Sequence, residues 1–280
     1  MKTRVLIAMP LILILTAALW LDHNFRTDIG FTSLFIITIT ISLYEYFDMN
    51  RKRGNEMPFF LIYIVPVLFA SEWLFNTFRV GAFMKFGNAY EFGGAMLLIL
   101  TASLILFARN GKKYDVFSAF FGVVYICGLG FYIFKLRHLG NFGEYAFFML
   151  ILVNKVTDSA AYFTGKLFGR HKLAPEISPN KTVEGAVGGF IFGTAAGIAF
   201  GRLTLLSDYY GTVFFIATAA IISMTAQIGD LVESAIKRLN GVKDSGALFR
   251  ETGGMFDVID GVILSAPAGF FLFYYHSPLR

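Results

Sequence analysis

The residues best suited to chemistry are gathered in one stretch, residues 227–261, between two long apolar runs. Only 15% of the chain is charged, yet this stretch mixes carboxylates with Lys and Arg at helical spacing. Mg²⁺ takes oxygen ligands, usually one or two carboxylates with substrate phosphates and water, and cations stabilise charge on phosphates. The pattern therefore indicates a site for a metal and a phosphate ester. The candidate residues are Asp230, Glu233, Lys237, Arg238, Lys243, Asp244, Arg250, Asp257 and Asp260.

The first part of the stretch is typical of a helix that presents one polar face. Asp230, Glu233, Ser234 and Lys237 follow one another at positions i, i+3, i+4 and i+7 and therefore share that face. Such a face could bind substrate. It could equally hold an ion pair between Glu233 and Lys237 at a solvated helix end, and the spacing leaves both interpretations open.

The second part begins the last apolar segment with two acids. Asp257 and Asp260 are three residues apart and share a helix face. Acids in a first turn could simply complement the helix dipole. Together with Asp230, across a glycine turn, they could instead hold Mg²⁺, which would supply the parts needed for phosphoryl or nucleotidyl transfer.

A second polar group lies inside an apolar segment. Asn154 and Asp158 are four residues apart, as are Lys155 and Ser159, so each pair shares a helix face. A charge at the centre of a membrane helix costs about 2.5–3.5 kcal/mol or more. We expect a polar cavity or substrate path there, although a Lys155–Asp158 pair that only neutralises itself is the alternative.

The polar segment between these two groups resembles an anion site. Ser178, Lys181, Thr182 and Glu184 precede or open a helix, whose N-terminal N–H groups and dipole favour phosphate. A hydroxyl there could also be only an N-cap, and the segment lacks the glycine-rich approach of a P-loop. Small residues follow that permit close helix packing, namely Gly185, Gly188 and Gly189.

The elements that position these residues are membrane helices. The 280-residue chain is 56% hydrophobic, with mean hydropathy +0.64, and apolar runs of about 18–20 residues suffice to cross a bilayer. We predict an all-α, polytopic helical bundle with N-terminal helices over 1–143 and a catalytic region over 144–280. Glu45 and Glu72 lie near segment ends, where a place at the membrane interface accounts for them. The nine predicted segments are 4–21, 29–48, 57–75, 90–108, 115–134, 144–167, 183–205, 211–236 and 257–275.

The distribution of positive charge predicts the orientation. Most of the 24 Lys and Arg residues fall in alternate polar segments, which favours the N-terminus inside, the C-terminus outside and nine crossings. The net charge of +5 therefore reports topology rather than nucleic-acid binding. The single cysteine, Cys127, excludes an intramolecular disulfide and a cysteine-based metal cluster.

Taken together, three separated blocks resemble the phosphatidate cytidylyltransferases, also called CDP-diacylglycerol synthases. The first is Asp158-Ser-Ala-Ala-Tyr-Phe followed by Gly165-x-x-Phe-Gly, and the second is Ser178-Pro-x-Lys-Thr-x-Glu-Gly. The third runs from Ser234-x-x-Lys-Arg through Lys243-Asp-Ser-Gly to Gly253-Gly-x-x-Asp257-x-x-Asp260. The resemblance covers about residues 155–265 and is highly specific.

The resemblance implies an enzyme that makes CDP-diacylglycerol and pyrophosphate from CTP and phosphatidate with Mg²⁺, alone or with a second cation. It implies a cytoplasmic-membrane protein whose site faces the cytoplasm, and a homodimer. It assigns metal binding to Asp230, Asp257 and Asp260. Catalytic and substrate-binding roles fall to Lys237, Arg238, Lys243 and Asp244, and to Asp158, Ser178, Lys181, Thr182, Glu184 and Ser234.

Three positions depart from the family pattern. Arg250 and Thr252 stand where the family usually has proline and histidine, and Val258 stands where it has arginine. Thr252 does not titrate near neutrality as histidine does. Three alternatives stay open: a relative acting on another lipid phosphate or alcohol, a catalytically silent paralogue, and a transporter using Lys155 and Asp158. No inverted repeat supports the transporter.

Overall fold

The computed structural model describes residues 2–25, 27–64, 66–67, 115–249 and 253–276. Six of its helices are long and apolar enough to span a membrane: residues 29–52, 116–137, 140–168, 183–203, 212–239 and 255–275. They coincide with six of the nine predicted segments, which confirms an all-α membrane protein. The main elements are α1 (Lys2–Phe25), α2 (Ile29–Lys52), α3 (Val116–Gly122), a π-helix (Val123–Gly128), α4 (Leu129–Arg137), α5 (Gly143–Phe168), β1 (Lys172–Ala174), β2 (Ser178–Thr182), α6 (Val183–Leu203), α7 (Thr212–Leu239) and α8 (Met255–Tyr275).

The remaining three predicted segments have different outcomes. Segment 4–21 is helical within α1, and the part of it whose side chains the structure describes, Leu13–Asp22, is apolar but too short by itself to count as a span. Segment 90–108 lies outside the described residues, as do residues 65 and 68–75 of segment 57–75, including Glu72. The count of nine crossings and the orientation therefore stay predictions.

The described residues form two compact units, and the division into 1–143 and 144–280 stays a prediction. The first comprises Met1–Gly128 and Asp244–Asp257, and the second comprises Leu129–Lys243 and Val258–Arg280. In the first unit, the Asp22 side chain accepts hydrogen bonds from the N–H groups of Gly30 (2.8 Å) and Phe31 (2.7 Å). Asp22 thereby caps α2, because these amides belong to a first turn that lacks intrahelical acceptors.

The second unit is held together by close packing of α5, α6 and α7. The predicted packing role of the α6 glycines is confirmed, since a Cβ at Gly189 would lie 2.8 Å from the carbonyl oxygen of Thr157 on α5. Only residues without a side chain allow helices to approach this closely. The buried glycines of α6 are Gly185, Gly188, Gly189, Gly193, Gly197 and Gly201.

One small element of the described residues is not helical. Strands β1 and β2 form a two-stranded antiparallel hairpin between α5 and α6, with Lys172 opposite Thr182 and Ala174 opposite Ser178. The hairpin is short and polar, so it carries no apolar alternation from which a strand could be predicted. It delivers Lys181 and Thr182 directly to the N-terminus of α6.

Candidate active site

A cluster of carboxylates from three helices lies in the second unit. Asp158 comes from α5, Asp230 and Glu233 come from α7, and Asp260 comes from α8. These groups are close enough to act electrostatically on one another: Asp230 on Asp158, and Asp158, Asp230 and Glu233 on Asp260. Like charges held together in membrane helices are costly unless a cation compensates them. The cluster therefore favours a cationic partner.

Two lysines supply part of that compensation. Lys181, carried by β2, places its Nζ 3.3 Å from Asp230 Oδ2. Lys155 on α5 places its Nζ 3.8 Å from Asp158 Oδ2 and donates a hydrogen bond of 3.0 Å to the carbonyl of Val258. The expected Lys155–Asp158 pair thus exists, but it belongs to a larger group of charges and does not only neutralise itself.

The other oxygen of Asp230 has a different environment. Asp230 Oδ1 is buried and has no hydrogen-bond partner among the described residues. A Cβ at Gly261 would lie 3.0 Å from this oxygen and 3.0 Å from Asn154 Oδ1, so the two oxygens border the same glycine. A buried carboxylate oxygen without a donor is costly, and a bound cation would remove that cost.

The predicted polar face of α7 is present, but two of its residues, Glu233 and Lys237, pair with each other. Lys237 Nζ lies 2.7 Å from Glu233 Oε2, and the Glu233 side chain is only 1% exposed. The two residues thus form the ion pair, but it is buried and does not lie at a solvated helix end; the substrate-binding role of this face stays a prediction. Ser234, on the same face, is half-buried.

The hairpin residues take mainly structural positions. Thr182 is the N-cap of α6, since its Oγ1 accepts a hydrogen bond from the N–H of Gly185 at 3.1 Å. Glu184 accepts from the N–H groups of Arg170 (3.0 Å) and His171 (3.2 Å), and its Oε1 lies 2.6 Å from His171 Nδ1. Ser178 is half-buried at the start of β2. Of this group, Lys181 alone is shown in contact with the carboxylate cluster.

The cations that follow α7 differ in their surroundings. Arg238 donates hydrogen bonds to the carbonyls of Ile177 (3.2 Å) and Val242 (3.0 Å) and thereby links these two segments. Lys243 is exposed. Arg250 and Thr252, two of the three departures from the family pattern, lie outside the described residues.

The first unit contains a second acidic arrangement, centred on Asp257. Its Oδ2 accepts hydrogen bonds from Ser245 N (2.9 Å), Ser245 Oγ (2.6 Å) and Gly254 N (2.7 Å). This oxygen therefore anchors backbone on both sides of the preceding segment. Asp244 is exposed beside it. Asp257 belongs to the first unit and Asp230 to the second, so their joint role as metal ligands stays a prediction.

Sequence analysis missed one residue of this arrangement. Glu45 is buried, with 6% exposure, and accepts hydrogen bonds from the N–H groups of Met255 (3.0 Å) and Phe256 (2.9 Å). A place at the membrane interface does not account for these contacts. The signal that could have found it is the carboxylate itself, because an ionisable group within an apolar segment points to function by default.

A ready-made metal centre is not present among the described residues, where no three His, Cys, Asp or Glu side chains are grouped to hold a metal. Mg²⁺ does not require one, since it is usually held by one or two carboxylates together with substrate phosphates and water. The hard oxygen donors of Asp230 and Asp260, and the unpartnered Oδ1 of Asp230, fit such a partly formed site.

Comparison with known proteins identifies the family. The model of the cytidylyltransferase family matches residues 2–276. The phosphatidate cytidylyltransferase of Bacillus subtilis strain 168 is 31% identical over 273 residues, 97% of each chain. That of Haemophilus influenzae is 30% identical over 296 residues, 98% of each chain. That of Brucella suis biovar 1 is 32% identical over 272 residues, 95% of this chain and 90% of the relative.

Proposed function

The chain belongs to the cytidylyltransferase family, and we propose that it catalyses the reaction for which its relatives are named. It transfers CMP from CTP to phosphatidate and yields CDP-diacylglycerol and pyrophosphate. The observation that carries the assignment to a site is the cluster of Asp158, Asp230 and Asp260 beside Lys155 and Lys181. Carboxylates and cations held within membrane helices suit a reaction between a lipid phosphate and a nucleoside triphosphate.

The reaction needs positioning and charge stabilisation more than proton transfer. An oxygen of the phosphatidate phosphate attacks the α-phosphorus of CTP, and the bond from that phosphorus to the pyrophosphate oxygen breaks. The attacking oxygen is already ionised near neutral pH, so no strong general base is required. Groups aimed at the developing charge are therefore the principal source of rate enhancement.

Lys181 is the lysine best placed for this task in the second unit. Its Nζ contacts Asp230, and it can exchange this partner for a phosphate oxygen when CTP arrives. Lys237, Arg238 and Lys243 are proposed to neutralise the phosphates from the end of α7 and the segment after it. Because Lys237 is paired with Glu233, its contribution requires that pair to loosen.

Asp230 and Asp260 are proposed to hold Mg²⁺, with Asp257 and Asp244 as further acidic groups of the site. When bound, this cation neutralises charge on the transferred phosphoryl group and on the departing pyrophosphate. Asp230 supplies the unpartnered Oδ1. Ser178, Thr182, Glu184 and Ser234 are proposed to shape the nucleotide site through the hairpin and α7. A second cation is part of the same proposal.

The test is a turnover assay on purified protein in detergent. Labelled CTP, phosphatidate and Mg²⁺ are incubated with and without EDTA, and lipid-linked CMP and pyrophosphate are followed. We expect CDP-diacylglycerol that depends on the metal. CTP binding without product would favour another lipid phosphate or alcohol as acceptor. Neither binding nor product would favour a silent paralogue or a transporter and would contradict the proposal.

The cellular setting is part of the proposal. The six apolar helices place the chain in a membrane, and its bacterial relatives favour the inner membrane with the site facing the cytoplasm. We also expect a homodimer, which the resemblance alone implies. Mass measurement of the protein in detergent or nanodiscs would test it.

A further inference from the structure

Glu45 of α2 receives hydrogen bonds from two places far along the chain. Its Oε1 accepts from the N–H of Met255 at 3.0 Å, and its Oε2 accepts from the N–H of Phe256 at 2.9 Å. Oε2 also lies 3.0 Å from Ser245 Oγ. The two amides open α8 and have no acceptor within that helix. Glu45 therefore acts as the cap of α8, supplied by another helix.

The segment around Ser245 and Gly254 is built closely against this carboxylate. A Cβ at Gly246 would lie 2.5 Å from Glu45 Oε1, and one at Gly254 would also collide with the carboxylate. The ring of Phe256 packs edge-on against Tyr46 at 6.4 Å and Tyr125 at 6.3 Å. These contacts leave the start of α8 little freedom, because both backbone and side chain are held.

Asp257 converges on the same point from the other side. Its Oδ2 lies 2.6 Å from Ser245 Oγ and also accepts from the N–H groups of Ser245 and Gly254. The Ser245 hydroxyl therefore lies between the two carboxylates, and its single proton can be donated to Asp257 Oδ2 or to Glu45 Oε2. Glu45 and Asp257 thus hold the same hydroxyl and adjacent backbone from two sides.

We propose that Glu45 is a positioning residue for nucleotidyl transfer. It fixes the first turn of α8 and Ser245, and through them the carboxylate of Asp257 and the neighbouring Asp244. The inference rests on the proposed function, in which Asp257 and Asp244 belong to the acidic part of the site. Charge-assisted hydrogen bonds to backbone N–H groups suit this task because they are stronger and more directional than neutral ones.

The chain contains a matched control for the capping role alone. Asp22 is also a buried carboxylate, with 3% exposure, and it also accepts from two first-turn N–H groups, those of Gly30 and Phe31. It caps α2 and has no proposed part in the site. Asp22→Asn and Glu45→Gln therefore remove the same charge from equivalent caps, and a merely structural role predicts equal effects.

The first experiment compares the kinetics of these two variants. We expect Glu45→Gln to lower kcat about 10–100-fold, the range found when a group that orients metal ligands is removed. It should also raise several-fold the Mg²⁺ concentration that gives half-maximal rate. Asp22→Asn should change both quantities less than about twofold. Equal losses in the two variants, or wild-type kcat and Mg²⁺ dependence for Glu45→Gln, would overturn the inference.

The second experiment measures the segment without turnover. Hydrogen–deuterium exchange on the intact protein in detergent should show faster exchange at Met255 and Phe256 in Glu45→Gln. In Asp22→Asn the change should appear at Gly30 and Phe31 instead. Unchanged exchange at Met255 and Phe256 would overturn the positioning role. Absence of wild-type turnover would overturn the proposed function and this inference together, whereas an active wild type with an unaffected Glu45→Gln would overturn the inference alone.

Discussion

At the scale of single residues, Asp230 gives the sharpest test of the metal proposal. Asp230→Asn keeps the size of the side chain but removes the charge that faces Lys181 and the unpartnered Oδ1. We expect kcat to fall at least about 100-fold, since a direct ligand should matter more than the groups that orient it. The measurement is Mg²⁺-dependent formation of CDP-diacylglycerol.

The same substitution should leave the fold intact. The substitution keeps the size of the side chain, removes one acidic group from the cluster with Asp158 and Asp260, and loses only the ion pair with Lys181. Asp208→Asn, at an exposed position on the segment between α6 and α7, controls for the chemical change alone. Wild-type turnover by Asp230→Asn would remove Asp230 from the site.

Asp257→Asn separates two roles of one carboxylate. Asparagine retains an oxygen that can accept from Ser245 and Gly254, so the anchoring contacts of Asp257 should largely survive. The negative charge is lost, and we expect activity to be abolished if Asp257 contributes to metal binding. Turnover and hydrogen exchange at Gly254 would be measured on the same membrane-inserted protein. Full activity of Asp257→Asn would show that Asp257 only anchors the backbone of Ser245 and Gly254 and does not bind the metal.

At the scale of elements, the glycines of α6 set the distance between helices. Gly189→Ala should destabilise the protein by about 1–3 kcal/mol, the usual effect of overpacking. The added Cβ would meet the backbone oxygen of Thr157 at 2.8 Å, and this atom has little room to move. Thermal unfolding in detergent measures the change.

Gly269→Ala is the matched control for that substitution. It also lies within a membrane helix of the second unit, but its added Cβ would meet only side-chain carbons, the nearest at 3.6 Å. Because alanine favours a helix by up to about 1 kcal/mol over glycine, this variant should be unchanged or slightly more stable. A loss of stability as large as that of Gly189→Ala would show that helix spacing is not the cause.

Elements were predictable from the sequence wherever their own residues determine them. The six spans follow from apolar length, since a membrane helix satisfies its own backbone. The importance of Lys155 and Asp158 on α5 was also predictable, because placing charged side chains in an apolar segment is costly. The contact of Glu45 with Met255 could not be predicted, because its partner is 210 residues away and no local pattern links them.

The choice between a structural and a functional role for a polar residue also needed the structure. The sequence makes Thr182 equally suited to phosphate binding and capping; its bond from Gly185 N shows the cap, while a part in phosphate binding stays a prediction. Successive side chains of a strand point to opposite faces. Lys181, one residue before Thr182, therefore points the other way and contacts Asp230. Spacing alone does not distinguish the two, since both precede the same helix.

At the scale of the whole molecule, the orientation in the membrane decides which substrate pool reaches the site. Helix α6 separates the hairpin from the segment Leu205–Asp208, and a spanning helix puts its two ends on opposite faces. The charge distribution predicts that the hairpin lies inside. CTP is a polar nucleotide that the cytoplasm supplies, so a site built from Lys181 and its neighbours is useful only with the hairpin on that face.

Cysteine labelling tests this orientation directly. Cys127 is buried and would first be replaced by alanine, after which Asn180→Cys on the hairpin and Ser207→Cys beyond α6 each provide one exposed thiol. In spheroplasts, a membrane-impermeant maleimide should label Ser207→Cys and should reach Asn180→Cys only after lysis. The reverse pattern would place the hairpin outside, away from the nucleotide, and would contradict both the charge-based topology and the proposed use of cytoplasmic CTP.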